Sequence, residues 1–117
     1  MQIDKGSVAI TMDSKSYIEI ARDMVKRDAF YLSHHAQIER GKEKITVDDI
    51  ISAILNGREL EPYPDDPRGE SCLIAGQGLD FRWMHILCGN FEKENLIVIT
   101  VYIPRLPKWS DPFTRRI

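Results

Sequence analysis

Between Asn56 and Gly69 the chain reads Asn-Gly-Arg-Glu-Leu-Glu-Pro-Tyr-Pro-Asp-Asp-Pro-Arg-Gly, with three prolines inside six positions. Proline fixes φ and brings no N–H to a strand ladder, so what resembles a strand here reads instead as a rigid, polar surface connection. It divides a half of the chain patterned as helices from a half patterned as short strands.

Upstream, Ser16 with Glu19 three residues on forms a capping box, and Tyr17, Ala21, Met24, Val25 and Asp28 follow at helical spacing. No proline interrupts residues 14–43, so this helix has the means to continue through Ala29, Leu32 and Ala36. The alternative, which we favour, is a short extended break at Phe30-Tyr31-Leu32 with Ser33 capping a second helix. A further helix from about Val47 to Leu55 is the best marked of all. Thr46 caps it, Asp49 occupies the third position, Ile45 and Ile50 are placed as a hydrophobic staple, and Asn56-Gly57 offers a left-handed stop. Its expected core face is Val47, Ile50, Ile51 and Ile54.

Downstream the apolar runs shorten. Ser71 to Ala75, Phe81 to Cys88 and Leu96 to Ile103 are separated by loops of hairpin composition, which predicts an antiparallel meander. Leu96 to Ile103 is apolar almost throughout and reads as a central strand buried on both faces, ended by Pro104 and Pro107. The expected fold class is α+β, with two or three N-terminal helices on one face of a three- to four-stranded antiparallel sheet, in a single domain over residues 1–117.

The formal charge of −2, from 16 basic and 18 acidic side chains, excludes a strong nonspecific field for nucleic acid, so any RNA contact has to be local. Arg105 to Ile117 is such a local segment, basic with interleaved aromatics, and suits either phosphate binding and base stacking or a solvated tail pinned by Trp109 and Phe113. The absence of a long apolar run and of a signal pattern predicts no membrane span and a cytoplasmic location. Cys72 and Cys88 read as small buried apolar groups.

Three sets of residues are candidates for chemistry. His34 and His35 lie on a stretch whose apolar side is little more than Ala36 and Ile38, which fits either a solvated helix or a helix beside a site. His85 lies inside the apolar strand Trp83-Met-His-Ile-Leu-Cys, where an imidazole must find a partner or stay neutral; near-neutral titration suits it to acid or base work if it reaches a cleft. Tyr102 on the neighbouring strand can donate to a developing oxyanion or simply pack. A zinc site from His35, Cys72, His85 and Cys88 is disfavoured, because strand positions three apart point to opposite faces. No phosphate-binding glycine loop or serine-nucleophile elbow occurs, so no metal and no cofactor is expected.

Taken in order, Leu32-Ser-His-His-Ala-Gln-Ile-Glu-Arg, Ile45-Thr-Val-Asp-Asp-Ile, Ala53-Ile-Leu-Asn-Gly, Glu61-Pro-Tyr-Pro-Asp-Asp-Pro-Arg-Gly-Glu-Ser-Cys-Leu, Arg82 with His85, and Ile99-Thr-Val-Tyr-Ile-Pro with Lys108-Trp109 resemble an uncharacterised bacterial and archaeal domain family. The resemblance runs from about residue 30 to 116. That family is similar to small toxins of the RelE and MqsR type, whose helices precede a curved antiparallel sheet and whose activity is metal-independent RNA cleavage. The resemblance implies RNA as substrate and a cognate antitoxin of zinc-finger or helix-turn-helix type as partner. Residue by residue it assigns His35, His85 and Tyr102 to catalysis and Arg68 to the substrate phosphate, with Arg82 beside it. Relatives carry an arginine four residues after the helical histidine, where this chain has Glu39; Arg40, displaced by one, is the nearest substitute.

The expected function is therefore a toxin-like ribonuclease in which a histidine activates a ribose 2′-hydroxyl. The rival is a non-catalytic binding module that uses the proline loop and an exposed strand edge to dock a partner by strand addition.

Overall fold

The computed structural model describes residues 15–116. Helix α1 (Tyr17–Lys26) starts at the expected capping box: the Ser16 hydroxyl accepts from Glu19 N, and the Glu19 carboxylate accepts from Ser16 N. Ala21, Met24 and Val25 are its buried positions. Strand β1 (Phe30–Leu32) is the extended break favoured by the sequence, and Ser33 caps α2 (His34–Glu43) behind it. Helix α3 (Val47–Asn56) carries the second capping box, and the Asp49 carboxylate also accepts from Leu79 N at 2.9 Å. Burial alone would raise the Asp49 pKa, but these hydrogen bonds win and hold the carboxyl below its ordinary range.

The strands are β2 (Arg58–Tyr63), β3 (Ser71–Gln77), β4 (Trp83–Gly89) and β5 (Leu96–Tyr102), followed by a small hairpin of β6 (Trp109–Asp111) and β7 (Thr114–Arg115). The five-stranded sheet has the order β1-β5-β4-β3-β2. Strands β3, β4 and β5 form the predicted antiparallel meander, which β2 extends by one more antiparallel strand, while β1 runs parallel to β5.

Four expectations need correction. The sheet has five strands, and one pairing is parallel, because the Phe30-Tyr31-Leu32 break returns to the sheet and pairs with Leu96 to Val98. The first part of the proline stretch is a strand rather than a surface connection: Pro62 is accepted because β2 lies at the sheet edge, where a missing N–H interrupts no ladder on the outer side. Gly57 is extended (φ −82, ψ −174) and gives no left-handed stop. It is confined by space, since a Cβ there would lie 2.4 Å from Ala53 O. The left-handed cap belongs instead to Lys44, at φ 56 and ψ 43. Finally, β5 alternates buried and half-buried positions instead of being buried on both faces; β3 is the strand buried almost throughout.

The core lies between the helices and one face of the sheet. Cys72, Ile74, Ile86, Cys88, Val98 and Val101 point toward Ala21, Met24, Ile50, Ala53 and Ile54. Packing is closest at Gly76, where an added Cβ would fall 2.0 Å from Ala53 O. The two cysteines are cross-strand neighbours, free and fully buried, and burial pushes the Cys88 thiol up to about 12, so both behave as apolar side chains. Among the described residues no helix is long and apolar enough to cross a membrane.

Two extra residues in the ladders decide what the other face carries. Between the pairs Cys88↔Val98 and Leu87↔Thr100, Ile99 has no partner, so the alternation of β5 reverses there. Leu96 and Val98 face the helices, and beyond the bulge Thr100 and Tyr102 face away. Leu60 does the same in β2, sending Glu61 and Tyr63 to the open face after Glu59 has faced the helices. The β5 bulge is pinned from outside the strand: the Ser33 hydroxyl donates to Ile99 O at 2.7 Å while accepting from Ala36 N at 3.0 Å.

Candidate functional site on the open face

Cross-strand partners on the open face run Ala75↔His85↔Tyr102 and Leu73↔Leu87↔Thr100. Half of this face is covered by the β6–β7 hairpin. The other half is open and forms the floor of a cavity of about 710 Å³, walled by the loop from Pro62 to Arg68 on one side and by Lys108 and Arg115 on the other. That volume accommodates a small ligand or a nucleotide unit.

His85 is fully buried at the boundary of the two halves. Its Nε2 lies 2.6 Å from Pro112 O and its Nδ1 3.1 Å from the Tyr102 hydroxyl. A carbonyl only accepts, so Nε2 carries the hydrogen; in the neutral ring Nδ1 is then the acceptor, and Tyr102 donates to it. Burial lowers the imidazole pKa from its ordinary value, partly opposed by the Pro112 carbonyl and the Glu61 carboxylate. The ring is therefore a neutral acceptor for the Tyr102 proton. Tyr102, half-buried, has its pKa raised by burial and opposed by the side chains of Trp109 and Arg115. The Trp109 indole N–H is the one buried side-chain polar atom without a hydrogen-bond partner among the described residues.

The hairpin is held on the sheet by aromatic and ionic contacts as well as by Pro112. Trp109, 2% exposed, meets the His85 ring edge-on at 4.4 Å. Phe113 packs edge-on against Trp83, with the Arg58 guanidinium 3.8 Å over its ring. Arg115 forms a two-pronged ion pair with Glu61 at 2.6 and 3.1 Å, and Glu61 also accepts from the Tyr63 hydroxyl. Burial, then this contact, pushes the Tyr63 phenol up to about 12. Opposite, the Asp66 carboxylate ties the proline loop together by accepting from Arg68 Nε and Nη2 and from the Ser71 hydroxyl at 2.8 Å. The Arg68 guanidinium and backbone N–H hold Asp66 well below the usual carboxylate range.

A family described as Domain of unknown function (DUF4258) matches residues 32–103. The chain belongs to this family. The DUF4258 match takes in α2, α3, the proline loop and the His85–Tyr102 pair; α1 and the β6–β7 hairpin lie outside it. No curated protein and no solved structure matches the chain.

Within the DUF4258 residues, the structure brings together three of the six residues chosen from the sequence: His85 and Tyr102 touch, and Arg68 lines the same cavity. It does not bring the other three there. His35 is exposed in the first turn of α2 and has no hydrogen bond from its side chain among the described residues. Arg40 bonds Gln37 and Ile45 O, and Arg82 bonds Asp80 and the carbonyls of Glu43 and Lys44 at 2.7 and 3.0 Å. Both guanidiniums are thus engaged around the end of α2, where carbonyls lack helical partners. Glu61, Tyr63 and Pro112 escaped the sequence reading. The first two sit past a bulge that no periodicity announces, and the third acts through its backbone oxygen.

Proposed function

We propose that the protein is a metal-independent endoribonuclease of the RelE and MqsR toxin kind, with the Tyr102–His85 pair as its proton-transfer centre. The observation that carries this reading is the hydrogen bond from a cavity-lining phenol to a buried, neutral imidazole whose other nitrogen is fixed by a carbonyl. His85 is too buried to meet RNA directly, so the group that touches substrate is Tyr102. The Tyr102 oxygen takes the proton of a ribose 2′-hydroxyl as its own hydrogen passes to His85 Nδ1. The 2′-oxygen attacks the adjacent phosphorus, the bond to the 5′-oxygen breaks, and that oxygen leaves with a proton from water. The products are a 2′,3′-cyclic phosphate and a 5′-hydroxyl. The imidazolium formed in this step is stabilised by Pro112 O and by the Glu61 carboxylate. Arg68 lines the same cavity, but its guanidinium is paired with Asp66, so its part is to hold the proline loop at the cavity wall. A neutralising antitoxin of zinc-finger or helix-turn-helix type, produced in the same cytoplasm, fits this function.

The test is growth after controlled expression of the wild type beside Tyr102→Phe, with total RNA examined for new ends. Arrest and new 5′-hydroxyl ends with the wild type, both lost in a folded Tyr102→Phe protein, is the expected result. Normal growth with intact RNA at confirmed soluble expression would transfer the assignment to a non-catalytic protein-binding module. Strand addition along β2 would then have to contend with the irregular edge made by Pro62 and the Leu60 bulge.

A further inference from the structure

We propose that the C-terminal hairpin, which lies outside the DUF4258 match, supplies the phosphate-binding half of the site, with Lys108 as the cation that meets an RNA phosphate; this rests on the ribonuclease reading above. Three cations line the cavity. Arg68 is neutralised by Asp66 at 3.0 Å and Arg115 by Glu61 at 2.6 Å, while Lys108 has no ion pair among the described residues. A cation already paired gains little from an incoming phosphate, because it must first give up or share its carboxylate. An unpaired one contributes its full Coulomb attraction and releases a counterion on binding. Lys108 is also close enough to act electrostatically on His85, which puts its charge in range of the proton-transfer centre.

One further feature supports this role. The hairpin is anchored at four points, by His85 on Pro112 O, Glu61 on Arg115, and Trp83 and Arg58 on Phe113, so Lys108 starts from a fixed base. Asp65, exposed on the proline loop, is the lining carboxylate without an ion pair among the described residues and opposes a phosphate.

The experiment uses a single-stranded RNA oligonucleotide methylated at every 2′-oxygen, which binds but lacks the attacking hydroxyl. Its affinity is read by fluorescence anisotropy across a salt series for the wild type, Lys108→Gln, Asp65→Asn and a remote control, Lys26→Gln. Loss of one phosphate contact lowers the slope of log affinity against log salt by about 0.7 for a single strand. The expected result is several-fold weaker binding and that loss of slope for Lys108→Gln, tighter binding for Asp65→Asn, and no change for Lys26→Gln. Unchanged affinity and slope in Lys108→Gln, in a protein whose wild type binds the oligonucleotide and cleaves unmodified RNA, overturns this proposal and leaves the ribonuclease reading standing. A wild type that neither binds nor cleaves overturns both.

Discussion

The two faces of the sheet are built from the same strands and could hardly differ more. Toward the helices stand Cys72, Ile74, Ile86, Cys88, Val98 and Val101, aliphatic or sulfur side chains closed over by α1 and α3. Away from them stand His85, Tyr102, Thr100, Glu61 and Tyr63, half covered by a hairpin and half open. A two-residue period lets one strand serve both layers, so the packed core and the candidate site are divided between alternate positions of a single segment. The bulges at Leu60 and Ile99 show that this division is set locally. Without them, Glu61 and Tyr102 would lie on the helix-facing side.

The largest effect of a single substitution is expected on the closed face. Gly76→Ala drives a Cβ into the Ala53 carbonyl, which no side-chain rotation relieves, so α3 must move off the sheet. We expect a loss of more than about 4 kcal/mol in chemical denaturation, at the exceptional end for one substitution. A loss below about 1 kcal/mol would mean that the two layers are not packed as described.

A second substitution sits where the faces are decided. Ser33→Ala removes the cap of α2 and the donor that holds Ile99 O, for an expected cost of about 1 to 2 kcal/mol. Because that oxygen belongs to the bulge that turns Tyr102 outward, RNA cleavage should fall as well, measured at a temperature where the variant remains folded. Full activity would show that the bulge holds without Ser33.

The two faces should also respond differently to acid. His85 has a folded-state pKa below its ordinary value of 6.5, chiefly through burial. As pH falls, the unfolded chain takes up the proton first. The contribution of neutral His85 is thus fully present above about pH 6.5 and is lost as pH falls through the lowered folded value. Thermal midpoints between pH 7 and pH 5 should decline for the wild type and decline less for His85→Gln. Equal slopes would contradict the burial of a neutral imidazole.

The smallest effect expected is a gain. Lys44 occupies a left-handed conformation at φ 56, which costs a residue with a Cβ roughly 1 kcal/mol. Lys44→Gly should raise stability by up to about 1 kcal/mol in denaturant titration without altering the open face.

Much of the helical layer was legible in the sequence because caps and staples are local. Ser16 with Glu19, Ser33, and Thr46 with Asp49 each start a helix where expected. The meander was legible too, since its runs are separated by turn residues. The strand at Arg58–Tyr63 was hidden by Pro62, whose presence excludes a central strand and permits an edge one; the distinction depends on neighbours that a sequence does not display. The pairing of β1 with β5 joins Phe30 to Leu96, and no local signal carries such a distance.

The candidate site was legible in part for the same reasons. His85 stood out as a polar residue in an apolar strand, and Tyr102 lay on the adjacent run. Their contact depends on the Ile99 bulge, and the orienting acceptor is the backbone of Pro112. Arg82 looked equally suited to phosphate, yet it bonds the carbonyls of Glu43 and Lys44 at the end of α2. Charge alone does not reveal which arginines fold structure consumes.

The proposed ribonuclease activity requires that the open face carry the chemistry and that Tyr102 be the group in contact with substrate. Its most direct test is cleavage of single-stranded RNA by purified protein in the presence of a chelator, comparing the wild type with Tyr102→Phe. This substitution removes one oxygen and leaves the closed face untouched. The expected result is cleavage by the wild type and a rate lower by about 10²-fold or more in the variant, within the range for acid–base groups, with a thermal midpoint close to that of the wild type. Cleavage by Tyr102→Phe at the wild-type rate would contradict it.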